Sequence, residues 1–162
     1  MPEVICNTSP LQYLHQVGQL RLLPALAQRV VVPPAVADEI ATGRAQGIDL
    51  PDVSALGWIE VRGPASAPVL PLVTDLGPGE TEVLALAIES GDAIVVLDDA
   101  VARRVAETLG LKLTGTLGLL LDGKRAGLIT AVAPVLDQLQ ALRFRVAAHT
   151  RAAVLKLAGE TR

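Results

Sequence analysis

The sequence predicts an α/β fold in which helices cover both faces of a central parallel sheet. Short apolar runs of strand length alternate along the chain with longer segments of helical periodicity. Three of the runs, residues 4–6, 30–32 and 94–97, are continuously apolar, which is typical of strands buried on both faces. Hydrophobic residues make up 51% of the 162 residues and charged residues 19%. This composition indicates a folded domain with a sizeable core rather than a disordered chain.

The predicted strands are short apolar runs, several of them rich in β-branched residues. The second is a run of three valines directly followed by Pro33 and Pro34. The third lies in a segment, residues 42–78, that is rich in Gly, Pro, Ala and Ser and that we interpret as loops and short helices. The five predicted strands are residues 4–6, 30–32, 58–61, 94–97 and 111–113.

Capping residues mark where several helices begin and end. Ser9 before Pro10 is a favourable start, and Thr116 is a candidate N-cap for a later helix. Gly91 and Gly110 each end a helix, because glycine readily adopts the left-handed conformation there. The predicted helices are residues 11–26 with a break near Gly18, 34–40, 80–89, 100–109, 116–125, 131–142 and 146–158.

We expect one domain over residues 1–162 in the cytoplasm. The N-terminus lacks the basic start and apolar run of a secretory signal. No apolar stretch reaches the roughly 18 residues that a membrane span needs, so no membrane partner is expected. One cysteine, Cys6, excludes an internal disulfide and suits a reducing compartment, where it is predicted to be a small buried strand residue.

The net charge of −3 argues against a protein that holds nucleic acid by a broad basic surface. A nuclease stays compatible with this charge, because bound metal ions would offset carboxylates in a cleft. The C-terminal stretch is locally basic. We interpret it as a solvated helix face, with an RNA-contact patch as the alternative; its basic residues are Arg143, Arg145, Arg151, Lys156 and Arg162.

Polar residues follow the predicted strands at the sheet edge where open α/β folds bind ligands. Asn7 follows the first strand, and Asp98 and Asp99 follow the fourth. Helical spacing places Glu39 and Glu80 on the apolar faces of their helices, whereas Asp38, Glu82 and Glu89 are predicted to face solvent. Carboxylates that converge in this way need a partner, and a hard divalent cation is one.

Each of these acids has a structural alternative. Glu80 could be an acid of the first helical turn stabilised by the helix dipole, and Glu39 could pair with an arginine. One of Asp98 and Asp99 is needed to cap the next helix, and Asp98 is the preferred ligand because it is nearer the strand. A zinc site is not expected, because the two histidines, His15 and His149, are isolated in the sequence.

These motifs, in this order, resemble the PIN-domain family, in a branch of uncharacterised proteins similar to VapC toxins. The similarity covers nearly the whole chain, although no single motif is specific. The matching stretches are residues 4–11, 30–39, 79–82, 96–99 with 102–106, 110–112 with 114–118, 143–145 and 158–160.

The resemblance implies a PIN-like three-layer α/β/α domain with a central parallel sheet. It also implies a ribonuclease that depends on Mg²⁺ or Mn²⁺, in many relatives the toxin of a toxin–antitoxin pair. RNA substrate, a small antitoxin and a homodimer are the partners it suggests. Glu39, Glu80 and Asp98 would be the catalytic acids, and the metal ligands would be these with Asn7 and Asp99. The hydroxyls of Thr8, Ser9, Thr114 and Thr116 are candidate substrate contacts, although turn and capping roles for the last two stay open.

The sequence departs from the family at Asn7, where the usual residue is aspartate. An amide oxygen can still coordinate a cation, but it brings no negative charge, so metal affinity should fall. The alternative function is therefore a catalytically weakened domain that binds RNA or protein. Phosphate-accepting receiver domains fit poorly because Asn7 replaces an acid, and no G-x-G-x-x-G motif of dinucleotide-binding domains follows the first strand.

Overall fold

The computed structural model describes residues 1–66 and 76–160. Its centre is a sheet of five strands in the order β3-β2-β1-β4-β5, and every neighbouring pair is parallel. The predicted α/β class with a central parallel sheet is therefore confirmed. The strands are β1 (Glu3–Cys6), β2 (Arg29–Val32), β3 (Ile59–Val61), β4 (Ile94–Val96) and β5 (Lys112–Thr114).

The middle strand, β1, is the most deeply buried. Val4, Ile5 and Cys6 have no exposed surface, because helices cover both faces of the sheet. Val4 pairs with Val30 on one side and with Ile94 on the other. Burial raises the pKa of the Cys6 thiol far above its usual range, and the nearby Asp98 carboxylate adds to this. Cys6 is thus an inert core residue, as expected.

Helices follow each strand and form the outer layers. Two of them, α3 and α4, have a proline as their first residue, where its missing N–H costs nothing. The described part of the chain has the helices α1 (Thr8–Gln16), α2 (Leu22–Leu26), α3 (Pro34–Ala45), α4 (Pro78–Ser90), α5 (Ala100–Thr108), α6 (Thr116–Arg125), α7 (Ala133–Ala141) and α8 (Ala148–Leu157), with a 3₁₀ turn at Val53–Ala55.

Two helix caps differ from the prediction. Helix α1 begins at Thr8, so Asn7 rather than Ser9 holds the N-cap position, and its side chain makes no capping bond. Helix α6 is preceded by Gly115, and Thr116 is its first residue rather than its cap. Part of the predicted loop segment, residues 67–75, lies outside the described residues.

The C-terminal segment is held against α6 and α7 by one carboxylate. Glu160 accepts hydrogen bonds from the backbone N–H groups of Val132 and Ala133, at 2.7 and 3.0 Å, and from Lys124 Nζ at 3.0 Å. Burial raises the pKa of Glu160, but these bonds and the Lys124 charge outweigh it and lower the value. Within the described ranges, no helix is long and apolar enough to cross a membrane.

Candidate metal centre

The candidate site lies where the carboxyl ends of β1, β4 and β5 meet. Because these strands are parallel neighbours, the residues that follow them share one edge of the sheet. The Asn7 backbone N–H donates to Val96 O at 3.1 Å, and the Leu97 N–H donates to Thr114 O at 2.9 Å. These bonds bring Asn7 and Asp98 to neighbouring positions, as the strand-end argument predicted.

Asn7 presents an oxygen without a partner. The residue is only 4% exposed. Its Oδ1 is the one buried side-chain N or O atom of the described residues that lacks a hydrogen-bond partner. Leaving such an oxygen unpaired inside a protein costs roughly 1–3 kcal/mol. An uncompensated cost of this kind is typical of a site that binds a ligand.

Gly79 leaves open a small space that three oxygens surround. A Cβ atom built on Gly79 would lie 2.8 Å from Glu39 Oε1, 3.2 Å from Glu39 Oε2 and 3.2 Å from Asn7 Oδ1. Glycine at this point of α4 therefore lets the Glu39 carboxylate and the Asn7 amide approach each other. No side chain of any other residue type could keep that space open.

Two further interactions hold the Glu39 carboxylate at this place. Thr8 Oγ1 donates a hydrogen bond of 2.6 Å to Glu39 Oε2. The carboxylate also lies against the first turn of α4, where the helix dipole favours negative charge. Glu39 is nevertheless exposed, which corrects the expectation that it points inward. It reaches the site from the rim, because its long side chain folds over the sheet edge.

Asp98 is the most heavily bonded acid of the site. Its Oδ1 accepts from the Thr116 backbone N–H at 2.8 Å, and its Oδ2 accepts from Thr116 Oγ1 at 2.6 Å and from Ser9 Oγ at 3.4 Å. Burial raises the pKa of Asp98, and the bonds from Thr116 and the charge of Arg103 only partly offset this effect. The carboxylate is thus oriented from two sides by the hydroxyls of Thr116 and Ser9.

The consecutive residues Asn7, Thr8 and Ser9 connect the two halves of the site. Asn7 and Thr8 lie at Glu39, and Ser9 lies at Asp98. This order follows from the start of α1, which turns successive side chains in different directions. The first turn of one helix therefore organises both carboxylates.

Two other predicted ligands lie differently. Glu80 folds back over its own helix start, with Oε2 2.8 Å from the position of a Cβ built on Gly77. This geometry agrees with the alternative interpretation of Glu80 as a first-turn acid. Asp99 is exposed and caps α5 through a 2.9 Å bond from the Ala102 N–H. Asp99 therefore serves the helix cap, and Asp98 is left as the acid of the site.

Two glutamates that were expected to face solvent are used as backbone acceptors. Glu82 accepts from the Ala35 N–H at 3.0 Å and so joins α4 to the start of α3, which corrects its assignment as a solvated residue. Glu89 is exposed but accepts from the Ala65 N–H at 3.0 Å. Asp38 is exposed, as expected.

The predicted hydroxyls differ in accessibility. Thr116 has no exposed surface, so it positions Asp98 and cannot contact a substrate, contrary to that prediction. Thr8 and Ser9 are half-buried and stay candidates. Thr114 is half-buried as well and lies against Gly118. His15 contacts Asp49 at 2.9 Å, and His149 is exposed on α8.

The oxygen donors at this edge of the sheet are of the type that binds a hard cation, but they do not form a tight cluster of acidic side chains. Across residues 1–66 and 76–160, no three His, Cys, Asp or Glu side chains are close enough together to hold a metal ion. The donors that do converge are an amide oxygen and a carboxylate at Gly79, with Asp98 across the first turn of α1. Oxygen donors of this kind suit Mg²⁺ or Mn²⁺.

Sequence reasoning missed Gly79 and Gly115 as determinants of the site. A Cβ on Gly115 would lie 2.8 Å from both Asp98 Oδ1 and Arg103 Nη1. The available signal in the sequence was the position of these glycines at the start of a predicted helix. In the structure neither has a positive φ, so a turn does not explain them. They indicate that something approaches the backbone closely.

Two of three comparisons with known proteins give matches, and the third gives none. A family model described as a PIN domain matches residues 3–160. A solved structure of a PilT N-terminus domain protein from the hyperthermophilic archaeon Sulfolobus solfataricus P2 is similar in fold, with a TM-score of 0.51 and 18% sequence identity over 74% of this chain and 92% of that chain. A search of curated proteins finds no similar sequence.

Proposed function

The chain belongs to the PIN-domain family, and on that basis we propose that it is an endoribonuclease that depends on a divalent metal ion. PIN domains are nuclease-type domains that generally depend on such ions. Asn7, Glu39 and Asp98 would hold the ion, and Glu80 would join them after turning away from Gly77. Mg²⁺ or Mn²⁺ is the ion that these oxygen donors suit.

The observation that carries the proposal is the unpartnered Oδ1 of Asn7. It is buried, it faces the Glu39 carboxylate across the open space at Gly79, and no described protein group satisfies it. A cation placed among these oxygens would satisfy the amide oxygen and neutralise the carboxylate. Asp98, whose pKa is raised by burial, supports the same proposal from the other side of the α1 start.

Three hydroxyl side chains orient the carboxylates of the site. Thr116 and Ser9 orient the Asp98 carboxylate, and Thr8 orients that of Glu39. The ion, when bound, would supply a water molecule acidified for attack on phosphorus and would stabilise the leaving oxygen. Cys6 is not a suitable covalent nucleophile, because it is buried and its pKa is strongly raised.

The family relationship also motivates narrower proposals. The chain would act in the cytoplasm as a VapC-like toxin, as a homodimer held inactive by a small antitoxin. A gene for a small antitoxin next to that of this chain, and its co-purification with the chain, would support this role. Cleavage without any growth effect on expression would argue for a nuclease with another task.

A second candidate function is a binding module for RNA or protein with weakened catalysis. Asn7 favours it, because an amide in place of the family's aspartate removes one negative charge from the site. The absence of three clustered acids in the described residues favours it too. RNA binding without cleavage in Mg²⁺, Mn²⁺ and other divalent ions would distinguish this module from an enzyme.

The proposed function is tested by cleavage of a panel of single-stranded RNAs with Mg²⁺, with Mn²⁺ and with a chelator. We expect wild-type protein to cleave only with a metal ion and Glu39→Gln to lose nearly all activity, because the amide cannot neutralise the ion. Asp38→Asn is the matched control, since Asp38 is the preceding residue and faces solvent. Equal activity in the two variants would remove Glu39 from the site.

We expect Gly79→Ala to weaken metal binding while it preserves the fold. The added Cβ would fill the space between Glu39 and Asn7. The exposed Glu39 side chain can move aside, and alanine is favoured over glycine within helices by up to about 1 kcal/mol, so thermal stability without metal should hold or rise. Calorimetric titration with Mn²⁺ measures the affinity. Gly91→Ala is not a suitable control, because Gly91 has a φ of +77° and an alanine there would strain the backbone. Unchanged affinity for Mn²⁺ would contradict the proposed position of the ion.

A further inference from the structure

A second pocket adjoins Asp98 on the side away from Glu39. It is a cavity of about 250 Å³. Its walls come from three separate parts of the chain, namely the start of α5, the turn before α6 and the segment that leads into α8. The residues on which the inference rests are Asp98, Arg103, Gly115, Gly118, Phe144 and Arg145.

Two arginines bring positive charge to this cavity. Neither Arg103 nor Arg145 forms an ion pair with a carboxylate of the described residues. Other arginines do pair, such as Arg151 with Asp137 at 2.8 Å and Arg62 with Glu3 at 3.0 Å. The guanidinium groups at the cavity thus have hydrogen-bond donors left for an anion.

The fold holds both sides of the cavity in place. Arg103 Nη1 donates to Leu97 O at 2.7 Å, which anchors its guanidinium beside the strand end. On the opposite wall, the Phe144 ring packs edge-on against Tyr13 with centroids 4.9 Å apart. Arg143 has a φ of +67°, so the chain turns sharply before Phe144 and Arg145 reach the cavity.

Glycines line the cavity floor. A Cβ on Gly115 would come within 2.8 Å of Arg103 Nη1 and of Asp98 Oδ1. A Cβ on Gly118 would collide with Thr114 Oγ1. The absence of a Cβ at Gly115 therefore lets the Arg103 guanidinium and the Asp98 carboxylate approach the turn between β5 and α6 closely.

We propose that Arg103 and Arg145 bind a backbone phosphate of RNA next to the one that is cut at Asp98. This inference rests on the proposed function, because it uses the same strand-end site. Guanidinium groups suit phosphate oxygens because their N–H donors form a planar fork. Both oxygens of the Asp98 carboxylate at the cavity edge accept hydrogen bonds from Thr116, which lowers the repulsion between this acid and a bound anion.

The proposed phosphate site would contact the RNA backbone and not the bases. Its single aromatic side chain, Phe144, is half-buried and packs in a T-shaped pair with Tyr13, so one partly covered ring is all that the cavity offers for base stacking. Backbone contacts alone give binding that is independent of sequence and sensitive to salt. Because the net charge is −3, we expect this binding at the two arginines of the cavity and not over a broad basic surface.

The test is fluorescence anisotropy of labelled single-stranded RNAs of several sequences, with Ca²⁺ as the ion and over a range of salt concentrations. We expect Arg145→Ala to weaken binding about tenfold for every sequence and to reduce the salt dependence by about one phosphate contact. Arg145→Lys should recover part of the loss. Arg104→Ala is the control, since Arg104 is exposed on α5 and does not line the cavity.

The outcomes separate this inference from the proposed function. Cleavage by wild-type protein together with equal RNA affinity in Arg145→Ala and wild type would overturn the phosphate site and leave the nuclease standing. Binding that depends on Arg145 without any cleavage would leave the phosphate site standing and remove the nuclease. Equal weakening by Arg104→Ala would mean diffuse attraction, and a wild-type protein that binds no RNA would overturn the site. Mn²⁺ affinity should be unchanged in Arg145→Ala, which excludes damage to the metal centre.

Discussion

Asp98→Asn is expected to lose at least about a hundredfold in metal-dependent cleavage, since even residues that only support a metal ligand contribute 10–100-fold. The amide matches the carboxylate in shape but cannot neutralise the ion. The folded protein without metal should be at least as stable as wild type at neutral pH. Burial raises the pKa of Asp98, so its contribution to stability is present at low pH and is lost as the pH rises through the raised value. The neutral amide avoids that loss.

Asp99→Asn is the matched control, because the two aspartates are neighbours with opposite roles. Asp99 caps α5, and asparagine is as good an N-cap as aspartate. We therefore expect Asp99→Asn to keep both cleavage and stability. Cleavage of the RNA panel and thermal unfolding in a chelator would be measured for both variants. An Asp98→Asn protein that cleaves normally, or an Asp99→Asn protein that does not, would reverse the assignment of the site acid.

Much of the fold follows from features that act locally in the sequence. Short, largely apolar runs predicted all five strands to within one residue at each end. The three central strands β1, β2 and β4 are the ones buried on both faces, where only apolar side chains are tolerated, whereas β3 and β5 carry the charged residues Glu60 and Lys112. Pro34 marked the start of α3 because proline suits the first turn of a helix. The strand order depends on crossover connections between distant segments, and no local pattern encodes it. Sequence reasoning therefore gave the parallel class and left the order open.

The site was less predictable, because it depends on how side chains choose among competing partners. The strand-end rule brought Asn7 and Asp98 together correctly, since backbone pairing alone decides their positions. Helical periodicity did not decide where Glu39, Glu80 and Glu82 point. Glu82 accepts a hydrogen bond from the Ala35 N–H, Glu80 folds over its own helix start, and Glu39 reaches the site from its exposed rim. Long side chains near a helix end have several acceptable partners, and only the packed structure selects one.

Asn7→Asp is expected to raise Mn²⁺ affinity about tenfold or more, because the number of charged ligands tunes the affinity of such sites. The change restores the aspartate that is usual in the family. Without metal, the same variant should unfold at a lower temperature, since it buries a second carboxylate close to Glu39. Calorimetric titration with Mn²⁺ and thermal unfolding with and without the ion measure both effects. A variant that gains no affinity would contradict Asn7 as a ligand.

Asn7→Leu gives the complementary result, because leucine keeps the branched outline of asparagine without a polar atom. If the unpartnered Oδ1 is held in place for an ion, its removal should stabilise the metal-free protein by roughly 1–3 kcal/mol and abolish Mn²⁺ binding. A leucine variant that is less stable than wild type would mean that the amide contributes to the fold instead. Activity then separates the two proposed functions. Wild-type cleavage would make the amide a sufficient ligand, whereas cleavage that appears only in Asn7→Asp would mean a binding module whose metal site the loss of one charge has weakened.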